Sequence, residues 1–218
     1  MSLSMERENR ELLVKGASHF GIRLEEKMVE AFDLYLRELL KWNEKINLTA
    51  LRTEKGIVLK HFLDSLSVFP HLSKISSLLD IGSGAGFPGI PLKMVCPYLD
   101  VTLIDSVRKK VDFQKHIIRT LGLKGITASH GRAQDTQVLE ALRGRFDGVI
   151  ARAFSNLDTL LLLGSPFLKK GGTLLAMKGE EMESFSRTGK LPYQFQRMVQ
   201  FSLPFSSIKR SVLLFEKL

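Results

Sequence analysis

The chain carries almost nothing with which to staple or anchor itself. A single cysteine, Cys96, in 218 residues excludes an internal disulfide and any cysteine metal cluster, and no metal is expected. No stretch is apolar for long enough to cross a bilayer, since the greasiest run, Leu157 to Leu168, is broken by Asp158 and Pro166. The segment from Met1 to Lys15 is charged and has no apolar core of the kind a signal peptide needs, so a cytoplasmic protein is expected. Internal repeats and low-complexity tracts are missing as well. The length allows one sizeable core with an appendage and leaves little room for two full domains.

Acidic charge is scarce in one part of the chain only. Residues 1–60 hold 11 Lys and Arg against 10 Asp and Glu, whereas residues 61–218 hold 21 against 13. The net charge of +9 therefore belongs almost wholly to the larger part, and a polyanionic partner is expected there.

What that part does contain is a glycine-rich bend. The apolar run Ile75 to Ile81 stops at Gly82-Ser83-Gly84-Ala85-Gly86-Phe87-Pro88-Gly89 and resumes as Ile90, Leu92, Met94 and Val95, the pattern of strand, tight loop and helix. Two registers compete. Gly84-x-Gly86-x-x-Gly89 fits a dinucleotide fingerprint, with a pyrophosphate on the helix N-terminus. Asp80-x-Gly82-x-Gly84-x-Gly86 instead puts a carboxylate at the strand end, where it would repel a pyrophosphate and attract a cation. S-adenosylmethionine carries an ammonium and a sulfonium and no phosphate, so Asp80 favours it over NAD. Pro88 and Pro91 bracket Gly89 and speak against the dinucleotide register.

A second β-branched run, Val101 to Ile104, ends in Asp105, nineteen residues beyond Gly86. In a doubly wound sheet that acid would reach the same edge and face the ribose of a nucleoside, unless it merely caps the next helix. Ile126 to His130 reads as a third strand, which would bring Ala133 and Gln134 to that edge, where adenine could meet main-chain groups. Phe146 to Ala151 is a fourth, delivering Arg152, and Thr173 to Met177 a fifth, delivering Lys178. Phe195–Leu203 and Ser211–Glu216 have no helix between them and must pair antiparallel. A parallel sheet finished by a hairpin is the arrangement of methyltransferases that use S-adenosylmethionine. The expected architecture is thus α/β, Rossmann-like, with a mostly parallel seven-stranded sheet.

Ahead of it, Leu24 to Leu40 shows apolar residues at threes and fours, an amphipathic helix of about five turns that needs the sheet domain to cover its stripe. Residues 1–70 are therefore read as a helical cap and 71–218 as the catalytic domain. A second cap helix runs from Glu54 or Gly56 to Phe69. On it His61, Asp64 and Ser65 share a face, which by itself reads as a solvated surface with a Lys60–Asp64 pair.

Four motifs in order, Trp42-Asn43-x-Lys45-x-Asn47-Leu48-Thr49, Lys60-His61-x-x-Asp64-Ser65, Leu79-Asp80 through Pro91-Leu92, and Ala151-Arg152-Ala153-Phe154, resemble the RsmG family, formerly glucose-inhibited division protein B. The resemblance implies a bacterial, S-adenosylmethionine-dependent enzyme that methylates N7 of a guanosine in 16S ribosomal RNA near the decoding site. It implies a cofactor site including Gly82, Phe87, Ala133, Gln134 and Arg152, with the ribose on Asp105, and it moves His61, Asp64 and Ser65 to an RNA or active-site face. Many relatives have Glu where this chain has Gln134. Guanine N7 has a lone pair and no proton, so no general base is required and Arg152 is assigned to positioning the cofactor carboxylate or guanine oxygen. Lys178 is counted with the RNA-facing residues, and a monomer acting on 16S rRNA or the small subunit is expected. The alternatives are a methyltransferase of a small molecule or protein, and an NAD-linked oxidoreductase.

Overall fold

A computed structural model describes residues 4–152, 154, 156–179 and 192–218. Five parallel strands, β1 (Ser77–Ile81), β2 (Asp100–Asp105), β3 (Ile126–His130), β4 (Phe146–Arg152) and β5 (Leu168–Lys178), are joined by an antiparallel pair, β6 (Tyr193–Ser202) and β7 (Lys209–Lys217). The spatial order is β3-β2-β1-β4-β5-β7-β6. The antiparallel end is as the sequence demanded, with β7 inserted between β5 and the edge strand β6.

Successive residues of each strand feed two separate cores, as the two-residue period of a pleated strand requires. Leu78, Leu103, Ile150, Leu175 and Leu214 face one side, and Leu79, Ile104, Val149, Leu174 and Leu213 the other. The first side is covered by α1 (Arg7–Ser18), α2 (Glu26–Asn43), α5 (Gly89–Val95) and α6 (Arg108–Thr120), through Leu13, Phe32, Tyr35, Ile90 and Phe113. The second is covered by α8 (Leu157–Gly164), which buries Leu160 and Leu161, and by the half-buried face of α7 (Thr136–Leu142). Over most of their length β1, β2 and β4 are buried on both faces, which explains their near-continuous apolar sequences, whereas β3 exposes Thr127, Ser129 and His130.

The N-terminal helices share one continuous core with the sheet, since Phe32, Tyr35, Leu36 and Leu39 of α2 cluster with Ile90, Leu103 and Phe113. The second cap helix is broken into α3 (Glu54–Ile57), a π-helical stretch (Val58–Leu63) and α4 (Asp64–Leu66). The π turn carries His61 and widens the helix where it meets the glycine loop, a placement common beside functional sites.

Candidate active site

The site forms at the C-terminal ends of β1, β2, β3, β4 and β5, with the π turn and the start of β7 packed against it. After Ile81 the chain turns through Gly82, Gly84 and Gly86, with φ of 70°, 60° and 97°, values that side-chain-bearing residues resist. Three anchors hold the loop from within. The Tyr35 hydroxyl donates to the Ala85 carbonyl at 2.6 Å, the Gln114 amide donates to the Gly84 carbonyl at 2.7 Å and to Ser83 Oγ at 2.9 Å, and Asp105 accepts the Gly84 N–H at 2.8 Å. Gly82 and Gly84 have nothing within 4 Å of where a Cβ would stand, so the outer side of the loop is open. At Gly86 a Cβ would lie 2.4 Å from Ile90 and 2.9 Å from the Tyr35 hydroxyl, so this glycine serves packing.

The structure corrects the reading of Asp80. It is not open to the cleft: it is fully buried beneath the loop, where its Oδ2 accepts the Gly89 N–H at 2.9 Å and its Oδ1 has no hydrogen-bond partner among the described residues. Burial, partly opposed by the Gly89 hydrogen bond, pushes its pKa up to about 7. The case against a dinucleotide changes accordingly. The carboxylate already occupies the first N–H of α5, the group that a pyrophosphate would need. The proline objection fails, because a Cβ on Gly89 would come 2.3 Å from Leu103, so this glycine makes the close helix-to-strand contact despite Pro88 and Pro91.

Asp105 does reach the edge, with both oxygens engaged: Oδ2 with Gly84 and Oδ1 with the Val107 N–H at 2.8 Å, a local turn that precedes α6. Beside it opens a cleft of about 340 Å³ lined by Gly82, Asp105, Ala133 and Gln134. Ala133 is buried in its wall and Gln134 is exposed. These are the residues the spacing of strands and glycines brought to one edge, now found around one cavity.

On the other side of the loop an aromatic stack forms the wall. Phe87 lies parallel to Tyr35 at 5.3 Å and to His61 at 4.4 Å, and the Arg152 guanidinium sits 5.2 Å from its ring centre. His61 Nε2 is 2.7 Å from the Thr49 hydroxyl and Nδ1 is 3.1 Å from the Lys60 carbonyl, a pattern satisfied by the neutral ring with Thr49 donating. Burial, reinforced by the Arg152 charge, lowers its pKa to about 3. The imidazole is therefore a stacking element and no proton carrier at neutral pH.

Arg152 Nη1 donates to the Lys60 carbonyl at 3.1 Å and lies 3.4 Å from Asp64 Oδ2, while Asp64 Oδ1 accepts from Arg210 Nε at 2.9 Å. Asp64 is thus shared between two arginines, and the expected Lys60–Asp64 pair is replaced by this one. A second correction concerns the shared face of His61, Asp64 and Ser65. It turns inward: Asp64 is 4% exposed, and Ser65 is fully buried with its hydroxyl donating to the His61 carbonyl at 2.6 Å, so Ser65 cannot touch a macromolecule. Lys178, at the end of β5, donates to the Phe154 carbonyl. Ala153 of the fourth motif lies outside the described residues.

Sequence reasoning missed Arg210, Gln114 and the second role of Tyr35. Gln114 had a visible signal, a lone amide three residues from both Val111 and Ile117 on the apolar face of α6. Arg210 had none, as it meets Asp64 across 146 positions.

Fold and loop together define the class: a Rossmann-like fold of the S-adenosylmethionine-dependent methyltransferases. Solved structures of that class superpose on it, among them an S-adenosylmethionine-dependent methyltransferase from Aquifex aeolicus, with 17% identity and a TM-score of 0.55 over 73% of this chain and 92% of that one. A geranyl diphosphate methyltransferase solved with sinefungin gives 14% and 0.56 over 71% and 76%. The fold alone does not name a reaction, since the [4+2]-cyclase SpnF matches at 14% and 0.57 over 76% of this chain and 82% of its own. Sequence decides the family. Residues 28–213 match GidB, described as rRNA small subunit methyltransferase G, and the chain belongs to that family. Proteins named ribosomal RNA small subunit methyltransferase G share 42% identity in Acetivibrio thermocellus, over 95% of this chain and 88% of the relative, and 40% in Geobacter metallireducens, over 96% of each.

Proposed function

We propose that this protein transfers the methyl group of S-adenosylmethionine to N7 of a guanosine in the 16S RNA of the small ribosomal subunit. The observation that carries the reading is the open outer side of the glycine bend at Gly82 and Gly84, contiguous with the Asp105–Ala133–Gln134 cleft, in a chain of the small-subunit rRNA methyltransferase family. A side chain would fill that cradle, so its emptiness suits close approach of a nucleoside-bearing ligand. S-adenosylmethionine, bound there, supplies an electrophilic methyl on a sulfonium.

In this reading Asp105 holds the ribose, the main chain at Ala133 and Gln134 receives the adenine, and Phe87 with Arg152 closes the amino-acid end. Gln134 in place of Glu costs little if only main-chain groups take the base. Asp80 acts from below, capping α5 and shaping the bend. Guanine N7 attacks without losing a proton, which agrees with a site whose one imidazole is held neutral. Catalysis then falls to alignment and to the fixed charge of Arg152, whose planar fork is held by Asp64 and Phe87 and is aimed at the cofactor carboxylate or the guanine oxygen. The target base must be splayed from its RNA to enter, and the basic excess of residues 61–218 holds the phosphates.

The test is incubation with labelled S-adenosylmethionine and small subunits or rRNA from cells lacking the activity, followed by mapping of the methyl group. Label on N7 of one 16S guanosine is expected. Label on protein, on a small molecule, or nowhere would refute the reading.

A further inference from the structure

Among the described residues, Phe205 is the one residue other than glycine with a left-handed backbone, φ 58°. It lies in the turn between β6 and β7, pinned by the Leu203 N–H to the Ile208 carbonyl at 2.8 Å, the Ser206 N–H to the Leu203 carbonyl at 3.1 Å and the Ser206 hydroxyl to that same carbonyl at 3.0 Å. Leu203 and Pro204 before it are buried, yet Phe205 itself is 60% exposed. Glycine or asparagine would occupy this backbone at less strain, and the ring gains little by burial there. Its ring meets that of His19, itself exposed at the end of α1, edge to face at 5.1 Å, and the neighbouring Phe20 and Phe201 make the same kind of contact at 6.2 Å. The turn is therefore a built feature tied to the N-terminal helices.

Its position gives it meaning. β7 runs antiparallel to β5, with Ser211 opposite Lys178, so the turn overhangs the same sheet edge as the glycine loop. Four and five residues on, Lys209 and Arg210 line a cleft of about 360 Å³ with Gln200 and Ser202, and Arg210 reaches the Asp64–Arg152 pair. An exposed aromatic pair in the turn that leads into these cationic and amide side chains, at the sheet edge that carries the glycine loop, matches the stacking platform with which proteins hold unpaired bases.

Resting on the proposed rRNA substrate, we infer that Phe205, with His19 at its edge, stacks on an unpaired base next to the target guanosine and so orients the RNA strand into the site. Phosphate contacts in the Lys209–Arg210 cleft set the strand's path, and the ring sets its register.

The test compares Phe205→Ala, Phe205→Gly and Phe205→Trp in methylation of small subunits and of protein-free 16S rRNA. The alanine and glycine variants should raise the KM for either RNA roughly tenfold or more, the value of one stacked base. Both should leave kcat and S-adenosylhomocysteine affinity unchanged, and the glycine variant should melt no lower than the parent. The tryptophan variant should restore the KM, and its indole emission should be quenched by added rRNA. Tyr98→Ala, which removes a 65% exposed ring from the opposite edge of the sheet, should change nothing. A KM within twofold of the parent in the alanine variant overturns the inference. So does a rise confined to subunits, which would assign the ring to a ribosomal protein. A parent protein that methylates neither RNA would refute the proposed function itself, whereas an active parent with an indifferent alanine variant refutes only the role of Phe205.

Discussion

The two ends of β4 present the same chemical device to opposite purposes. At its start, Asp147 accepts from the hydroxyls of Ser76 at 2.6 Å and Ser77 at 2.8 Å, from the Ser77 N–H at 3.0 Å and from Lys169 at 2.7 Å. Every partner is short, local to the sheet's lower edge, and the glycine nearby is closed: a Cβ on Gly172 would meet the Lys169 and Asp147 carbonyl oxygens at 2.9 and 3.1 Å. At its far end, Arg152 shares a buried carboxylate with Arg210, one contact stretched to 3.4 Å, beside glycines whose outer side is open. The lower end is satisfied, as a structural latch should be, even though a cleft of about 480 Å³ lined by Asp147, Lys169 and Gly172 opens beside it. The upper end keeps donors and space in reserve for something else.

The largest expected effect comes from deleting the shared carboxylate. Asp64→Ala leaves two partly buried guanidinium groups without their counter-charge and should cost about 3 kcal/mol, read from urea denaturation. It should also cost methylation, because Arg152 loses its orientation. An unchanged midpoint would show that the upper cluster is as dispensable as a surface pair.

Asp147→Ala should sharpen the contrast from the other side. It strips the acceptor from Ser76, Ser77 and Lys169 and should destabilise by about 1–2 kcal/mol while leaving kcat within twofold. A clear fall in kcat would break the division of labour.

Gly82→Ala probes the open space. Its backbone strain should cost about 1 kcal/mol, and calorimetry should show S-adenosylhomocysteine affinity lowered roughly tenfold because the methyl intrudes on the cradle. Gly172→Ala should instead lose stability and no affinity.

A pH slope of opposite sign also separates the two ends. Burial raises Asp80, so the folded state holds its proton more tightly than the unfolded chain, where the carboxyl titrates near 3.8. Stability is drawn down as pH rises from 3.8 to about 7, by about 1 kcal/mol between pH 6 and 8, and Asp80→Asn should lack that slope. Burial also pushes Asp147 up, but the hydrogen bonds from Lys169, Ser76 and Ser77 outweigh it and hold the group below the usual carboxylate range. Its contribution is present above pH 3.8 and fades as pH falls below that.

Most of the framework was legible because strands announce themselves locally. The apolar runs Ile75 to Ile81, Val101 to Asp105 and Phe146 to Ala151 fall within a residue or two of β1, β2 and β4, and the missing helix before Ser211 exposed the antiparallel pair. What escaped was either weak or distant. α7 buries no residue fully, so its apolar period is faint. The π turn is a departure from helical spacing that composition does not mark. Asp80 was placed at the correct strand end but with the wrong orientation, since the next peptide of α5 claims its carboxylate only once helix and strand have packed. The Asp64–Arg210 pair depends on the sheet order, and the left-handed Phe205 on turn hydrogen bonds, neither of which adjacent residues reveal.

The account rests most heavily on Arg152. Single-turnover methylation by Arg152→Ala, at saturating S-adenosylmethionine and rRNA, should be slower by about 10² or more, with Arg152→Lys only partly restored because a lysine lacks the planar fork. A rate equal to that of the parent protein would contradict the assignment of the upper end of β4 to catalysis.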